Sequence, residues 1–299
     1  MTGWRPICRS SRHLLFALLF GAVTNPGFAK DFSQIYPPNV LRKAISTYEV
    51  NIRGVLYEDI RRYLSVSEKQ TLSTVKVNFS QLGRHAGLFE YSMNLTTGEM
   101  TVTALAVKFF DEIAIAFAWY EYRNLDRTKI IEYIGRLFAE PNYRQPPLLA
   151  LGVPAEAWKL DKDVDGDSQK ILKSGITFLL LHEVAHWRFR HAGYDAISNR
   201  QAQRQEIQAD AFALEVMARM HTVPYGMVYW FMITGLLQSN EARTHPLSTD
   251  RLLLIADRLE RRPTDFIGLE NRDRVSPREI RNVAKEIRTI ATTISDNNN

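Results

Sequence analysis

The run Thr177-Phe-Leu-Leu-Leu-His182-Glu183-Val-Ala-His186-Trp187 is apolar and helix-forming, yet it carries three ionisable side chains in its middle. A helix this apolar belongs in a protein interior, where two imidazoles and a carboxylate without partners would be costly. Whatever fold the chain adopts must therefore bring complementary chemistry to them. His182 and His186 are four residues apart, so their rings leave one helix face one turn apart. That spacing lets two nitrogens meet one zinc ion at about 2.1 Å. Glu183, beside the first histidine, is placed to take a proton from a water attacking a polarised carbonyl. The pattern is H-E-x-x-H, and it points to a hydrolase with one catalytic Zn2+.

A third ligand sets the subclass. A metzincin needs Gly at 189 and His at 192, where this chain has Phe189 and Ala192, so that class is excluded. Twenty residues beyond His186 comes Glu206-Ile-Gln-Ala-Asp210, opening a second helix. Glu206 and Asp210 share a face, which lets Glu206 complete the metal site. Asp210 can then accept the N–H of a ligand histidine and fix its tautomer.

These two motifs, with Thr244-His245-Pro246-Leu-Ser-Thr-Asp-Arg251, resemble the minigluzincin metallopeptidases: HtpX-type heat-shock proteases, CAAX-prenyl proteases and their soluble periplasmic relatives. The resemblance covers about residues 175–255 and implies a zincin-like (gluzincin) catalytic core at about 170–260. It implies that His245 lies near the active site, either donating to a developing oxyanion or binding zinc as an inhibitory fourth ligand. It also implies that Arg251 braces the site by ion pairing. His191 matches a common feature of the family, but with Gly193 after it the simpler reading is a cationic helix C-terminus capped by glycine. The multiple transmembrane segments of the HtpX and CAAX enzymes have no counterpart in this sequence, so their substrates do not transfer.

The rest of the chain bounds this reading. Residues 1–29 contain Arg5, Arg9 and Arg12 and no acid, then the apolar run Leu14–Val23, then small residues at Gly27 and Ala29. This is the pattern of an export leader cleaved after Ala29, too short for a membrane span, and it predicts a periplasmic or secreted protein. Cys8, the only cysteine, falls within the leader, so disulfides, thiolate catalysis and cysteine-based zinc sites are excluded from the mature chain. Lys plus Arg exceed Asp plus Glu by 38 to 33, and three of those cations lie in the leader. With no long basic run, nucleic acid is not an expected partner; a polypeptide substrate is.

Apolar spacing predicts helices at 41–64 and 128–139, and at 169–191, 200–220, 224–238, 248–260 and 277–295. Alternation predicts strands around Val75–Phe79, Phe89–Met93 and Met100–Val102, with Thr96-Thr97-Gly98 as a hairpin turn. It also favours a strand at Ile113–Trp119 over a helix. An edge strand within 73–119 would suit an extended peptide added by β-pairing. Residues 141–168 read as a long loop that includes one short helix. In it, Asp161, Asp163 and Asp165 with Gly166 have the spacing of a Ca2+ loop, but Leu172 stands where the closing Glu belongs, so a solvated acidic turn is the preferred reading. The uncharged stretch Thr222–Asn240 suits a core helix, with peripheral membrane contact as the lesser option. The expected architecture is one α+β domain over residues 30–299, strands first and helices after. The expected activity is a zinc-dependent endopeptidase, and the alternative is a zinc-holding, proteolytically silent chaperone of the cell envelope.

Overall fold

The computed structural model describes residues 30–84, 86–236, 248–268 and 275–297, so the expected leader and His245 lie outside the described residues. The chain begins with α1 (Pro38–Gly54), prolonged by a π-helical turn at Val55–Ile60, and then α2 (Val66–Ser73). A capping box starts α2: the Ser65 hydroxyl accepts from Glu68 N while the Glu68 carboxylate accepts from Ser65 N. Three short strands follow, β1 (Lys76–Ser80), β2 (Tyr91–Asn94) and β3 (Glu99–Thr103). Their order is β1-β3-β2, with β1 parallel and β2 antiparallel to the central β3. Met100 and Val102 face Val77 and Phe79 on one side and Met93 and Tyr91 on the other. The expected hairpin turn joins β2 to β3. Asn94 Oδ1 accepts from Thr96 N and Thr97 N at 2.9 and 3.1 Å, and Gly98 takes φ +69°.

A 19-residue helix comes next, α3 (Ala104–Tyr122), N-capped by Thr103 through its hydroxyl and Ala106 N. It corrects the strand expected at Ile113–Trp119. The segment is buried on almost every side, from Ala104 through Ala118, so it has no polar face to display a helical period. Its alternation of large residues with alanine reflects tight helix packing, not a pleat. Next come α4 (Thr128–Ala139) and two single-turn helices, α5 (Pro147–Ala150) and α6 (Ala157–Leu160).

The central element is α7 (Lys162–Arg188), which starts seven residues before the expected 169. This corrects the acidic loop. Asp161 is the N-cap, accepting from Asp163 N at 3.0 Å, and Asp163 and Asp165 sit in the first turn. Carboxylates there complement the positive end of the helix, and at spacings of two they do not converge as calcium-loop ligands would. The remaining helices are α8 (Asn199–Arg219), α9 (Tyr225–Leu236), α10 (Thr249–Arg261) and α11 (Pro277–Asn297).

Backbone contact locks α9 onto α7. Gly226 N donates to Ser174 Oγ at 2.8 Å, and a Cβ on Gly226 would lie 2.1 Å from Ile171 O and 2.6 Å from Gly175 Cα. Phe178 meets Phe231 edge to face, with ring centroids 5.9 Å apart. The uncharged stretch thus supplies a core helix over its described part. No described helix is long and apolar enough to cross a membrane. The result is a mixed α and β architecture, mostly helical with one small sheet, in which buried side chains run continuously from Phe32 to Ala291.

Candidate metal centre

The C-terminal half of α7 lies in the core with Leu179, Leu180, Leu181, Val184 and Ala185 buried. His182, Glu183 and His186 are each only 3% exposed, and Glu206 on α8 is fully buried. The donor atoms of His182, His186 and Glu206 all lie within 4.8 Å of one another. The two Nε2 atoms are 3.0 Å apart, His182 Nε2 is 3.4 Å from Glu206 Oε2, and His186 Nε2 is 3.2 Å from Glu206 Oε1. Ligands at about 2.1 Å from a tetrahedral ion are separated by about 3.4 Å. The triangle therefore has the size of one face of such a tetrahedron, and two imidazoles with one glutamate form a known zinc-hydrolase donor set.

Around the triangle, each polar atom is aimed by a second group. Asp210, one turn after Glu206, lies with Oδ1 2.8 Å from His182 Nδ1, so that Nε2 is the nitrogen of that ring facing the triangle. Arg251 enters from the first turn of α10, whose N-cap Ser248 accepts from Arg251 N. Its guanidinium binds Glu206 Oε2 through Nη1 at 2.8 Å and Asp210 through Nε and Nη2, the latter at 2.9 Å. Arg251 is 5% exposed and stacks over the Phe231 ring of α9 at 5.7 Å. The structure thus brings together His182, His186, Glu206, Asp210 and Arg251, with Glu183 buried on the same helix turn as the two histidines. It leaves Asp161, Asp163 and Asp165 at the far end of α7.

The electrostatics favour a cation. Burial alone would lower the His182 pKa, but the carboxylates of Glu206 and Asp210 outweigh it and push it up to about 10. Burial likewise opposes charge on Asp210, yet Arg251 and His182 hold its carboxyl below the usual range. The Arg251 pKa is raised despite burial, by Asp210 and then Glu206. The attraction of Glu206 and Asp210 that favours a charged His182 also favours a divalent cation at the triangle.

Of two further neighbours, sequence reasoning missed one and misread the other. Tyr194, in the 3-10 turn Tyr194–Ala196 between α7 and α8, donates its hydroxyl to Glu206 Oε1. Burial raises the Tyr194 pKa, and the charges of Glu206 and Glu183 raise it further. His191 is the second, and here the expected glycine cap is corrected. The helix ends at Arg188, Arg190 takes the left-handed conformation at φ +52°, and Gly193 is extended at φ −62°. His191 is buried, with its Nδ1 2.9 Å from His186 Nδ1 and its Nε2 3.0 Å from Gln208 Oε1. Burial lowers its pKa, which works against the cationic form expected at a helix C-terminus. Its position five residues after His186 of the H-E-x-x-H pattern, at a helix end, was the available signal. A non-glycine residue at the left-handed position hid the turn.

Residues 151–269 match the family model described as Peptidase U49. The matched stretch spans α7 to α10 and so contains the whole donor triangle with Glu183, Asp210 and Arg251. No curated protein and no solved structure matches the chain. Residues 151–269, under half of the 299, are thus similar to a peptidase family, and that similarity falls on the residues of the candidate centre.

Proposed function

We propose that this chain is a zinc-dependent endopeptidase of the gluzincin type that cleaves exported or envelope polypeptides. The observation that carries the reading is the buried His182–His186–Glu206 triangle with Glu183 beside it on the same helix. The Peptidase U49 match over the same residues supports peptide-bond hydrolysis. His182, His186 and Glu206 would hold the ion, which when bound lowers the pKa of water and polarises a carbonyl. Glu183, about 100° around α7 from His182, takes the proton of the attacking water and returns it to the leaving amine. Asp210 holds the His182 ring in its productive tautomer, and Arg251 holds Asp210 and Glu206 in place. In the same reading His245 is an inhibitory ligand or an oxyanion donor, and residues 1–29 are a leader. N-terminal sequencing of protein from its native host should begin at Lys30, and Met1 or Thr2 there would refute the leader.

The deciding experiment compares wild type with Glu183→Gln, measuring metal per chain and digestion of a peptide library. Both proteins should hold about one zinc per chain, and only wild type should cleave, because an amide cannot accept the proton. Equal cleavage by both would sink the mechanism. Full zinc in both with cleavage by neither would favour the silent zinc-holding chaperone.

A further inference from the structure

The end of α7 is closed by two hydrogen bonds, His191 N to His186 O at 3.1 Å and Arg190 N to Trp187 O at 3.2 Å, with Arg190 left-handed. This is the Schellman turn, which folds the second residue past the cap back against the residue three positions inside the helix end. In most such turns those two side chains make a hydrophobic contact. Here they are His191 and His186, and the contact is Nδ1 to Nδ1 at 2.9 Å. Phe189 stacks on the His191 ring at 5.8 Å between centroids and fixes its plane. The far nitrogen of His191 meets Gln208 Oε1 on α8 at 3.0 Å.

Proton placement along this chain has one consistent solution for a metal centre. His186 Nε2 faces the triangle and must be bare to bind an ion, so its proton resides on Nδ1. His191 Nδ1 must then accept, which puts the His191 proton on Nε2, where it is donated to Gln208 Oε1. We infer that His191 is the positioning residue for His186, fixing its tautomer and ring orientation as Asp210 does for His182. The inference rests on the metal-centre reading above and adds to it a neutral imidazole relay. Helix α8 therefore orients both ligand histidines, one directly through Asp210 and one through His191 and Gln208.

The test uses the full chain, with Zn2+ itself as the probe. Affinity is measured by competition with a chromophoric chelator, and the melting temperature of the metal-free protein serves as the folding check. His191→Asn places its amide oxygen where Nδ1 stood and should bind zinc within about threefold of wild type. His191→Phe keeps the apolar contact usual for this turn but offers no acceptor, and should lose 10- to 100-fold in affinity, the usual effect of removing such a partner. A purely structural role predicts the opposite order, with Phe retained and Asn weakened, and that order would overturn the inference. In zinc-loaded wild type, nitrogen–proton correlation spectra of the imidazoles should place the His191 proton on Nε2 and the His186 proton on Nδ1. A His191 proton on Nδ1 would refute the relay even if neither variant folds. Wild type that binds no zinc refutes the metal centre itself, whereas wild type and His191→Phe binding equally refutes only the relay.

Discussion

At the scale of single residues, Glu206 has the most to lose from a small change. Its Oε1 accepts from Tyr194, its Oε2 pairs with Arg251, and the two oxygens lie within 3.4 Å of the Nε2 atoms of His186 and His182. Glu206→Gln keeps the volume and one acceptor but removes the charge. Zinc affinity should fall by at least about 100-fold, since two imidazoles alone hold the ion weakly. Chelator competition reads this directly, and undiminished affinity would remove Glu206 from the ligand set. The positions that the helical period controls were legible in the sequence: His182 with His186, and Glu206 with Asp210, are pairs at spacing four, whose relative placement hardly depends on the rest of the fold. Tyr194 and His191 were not legible, because each depends on the path of the connection between α7 and α8. His191 in particular depends on Arg190 entering a conformation that residues other than glycine take seldom.

Among elements, the crossing of α7 and α9 sets how closely the helices approach. A methyl group at Gly226 would meet backbone atoms of Ile171 and Gly175 at 2.1 to 2.6 Å, and backbone cannot rotate away. Gly226→Ala should therefore cost about 3 kcal/mol, the upper part of the usual range for overpacking. Gly166, on the same α7, has no neighbouring heavy atom within 4 Å of such a methyl. Gly166→Ala should instead stabilise by about 0.5 to 1 kcal/mol through helix propensity. Urea unfolding of the two variants checks both signs. The elements that escaped the sequence share one cause, the loss of a periodic signal. Complete burial removed the polar face of α3, and the acidic start of α7 looks loop-like because carboxylates at a helix N-terminus need no apolar stripe. Strands β1 to β3 were legible because each has a half-exposed face.

For the whole molecule, Glu68 ties the N-terminal region to the helical half. Its carboxylate on α2 binds Arg219 of α8 at 2.8 and 3.2 Å and lies 3.9 Å from Arg188 at the end of α7. Burial opposes its charge, but the hydrogen bonds of Arg219 and of Ser65 prevail and bring its pKa from 4.5 to about 2. A carboxylate held below its unfolded pKa contributes stability that is whole above that value and fades as the pH falls towards the folded value. Glu68→Gln should thus be less stable than wild type at pH 7, with the gap closing between about pH 4.5 and 2. Denaturant titrations across that range measure it, and a gap independent of pH would mean that packing, not charge, is what Glu68 supplies.

Helix α8 carries the proposed third ligand Glu206, the carboxylate of Asp210 beside His182 and the amide of Gln208 beside His191 within five consecutive positions, 206 to 210. A shift or rotation of that one helix would remove all three at once. In the language of thermodynamic linkage, ion concentration and the seating of α8 become conjugate variables, each able to drive the other. Free Zn2+ at a hundred times its dissociation constant would favour the seated helix by about 2.7 kcal/mol. Metal supply would then govern the rigidity of the helical half as well as the occupancy of its centre.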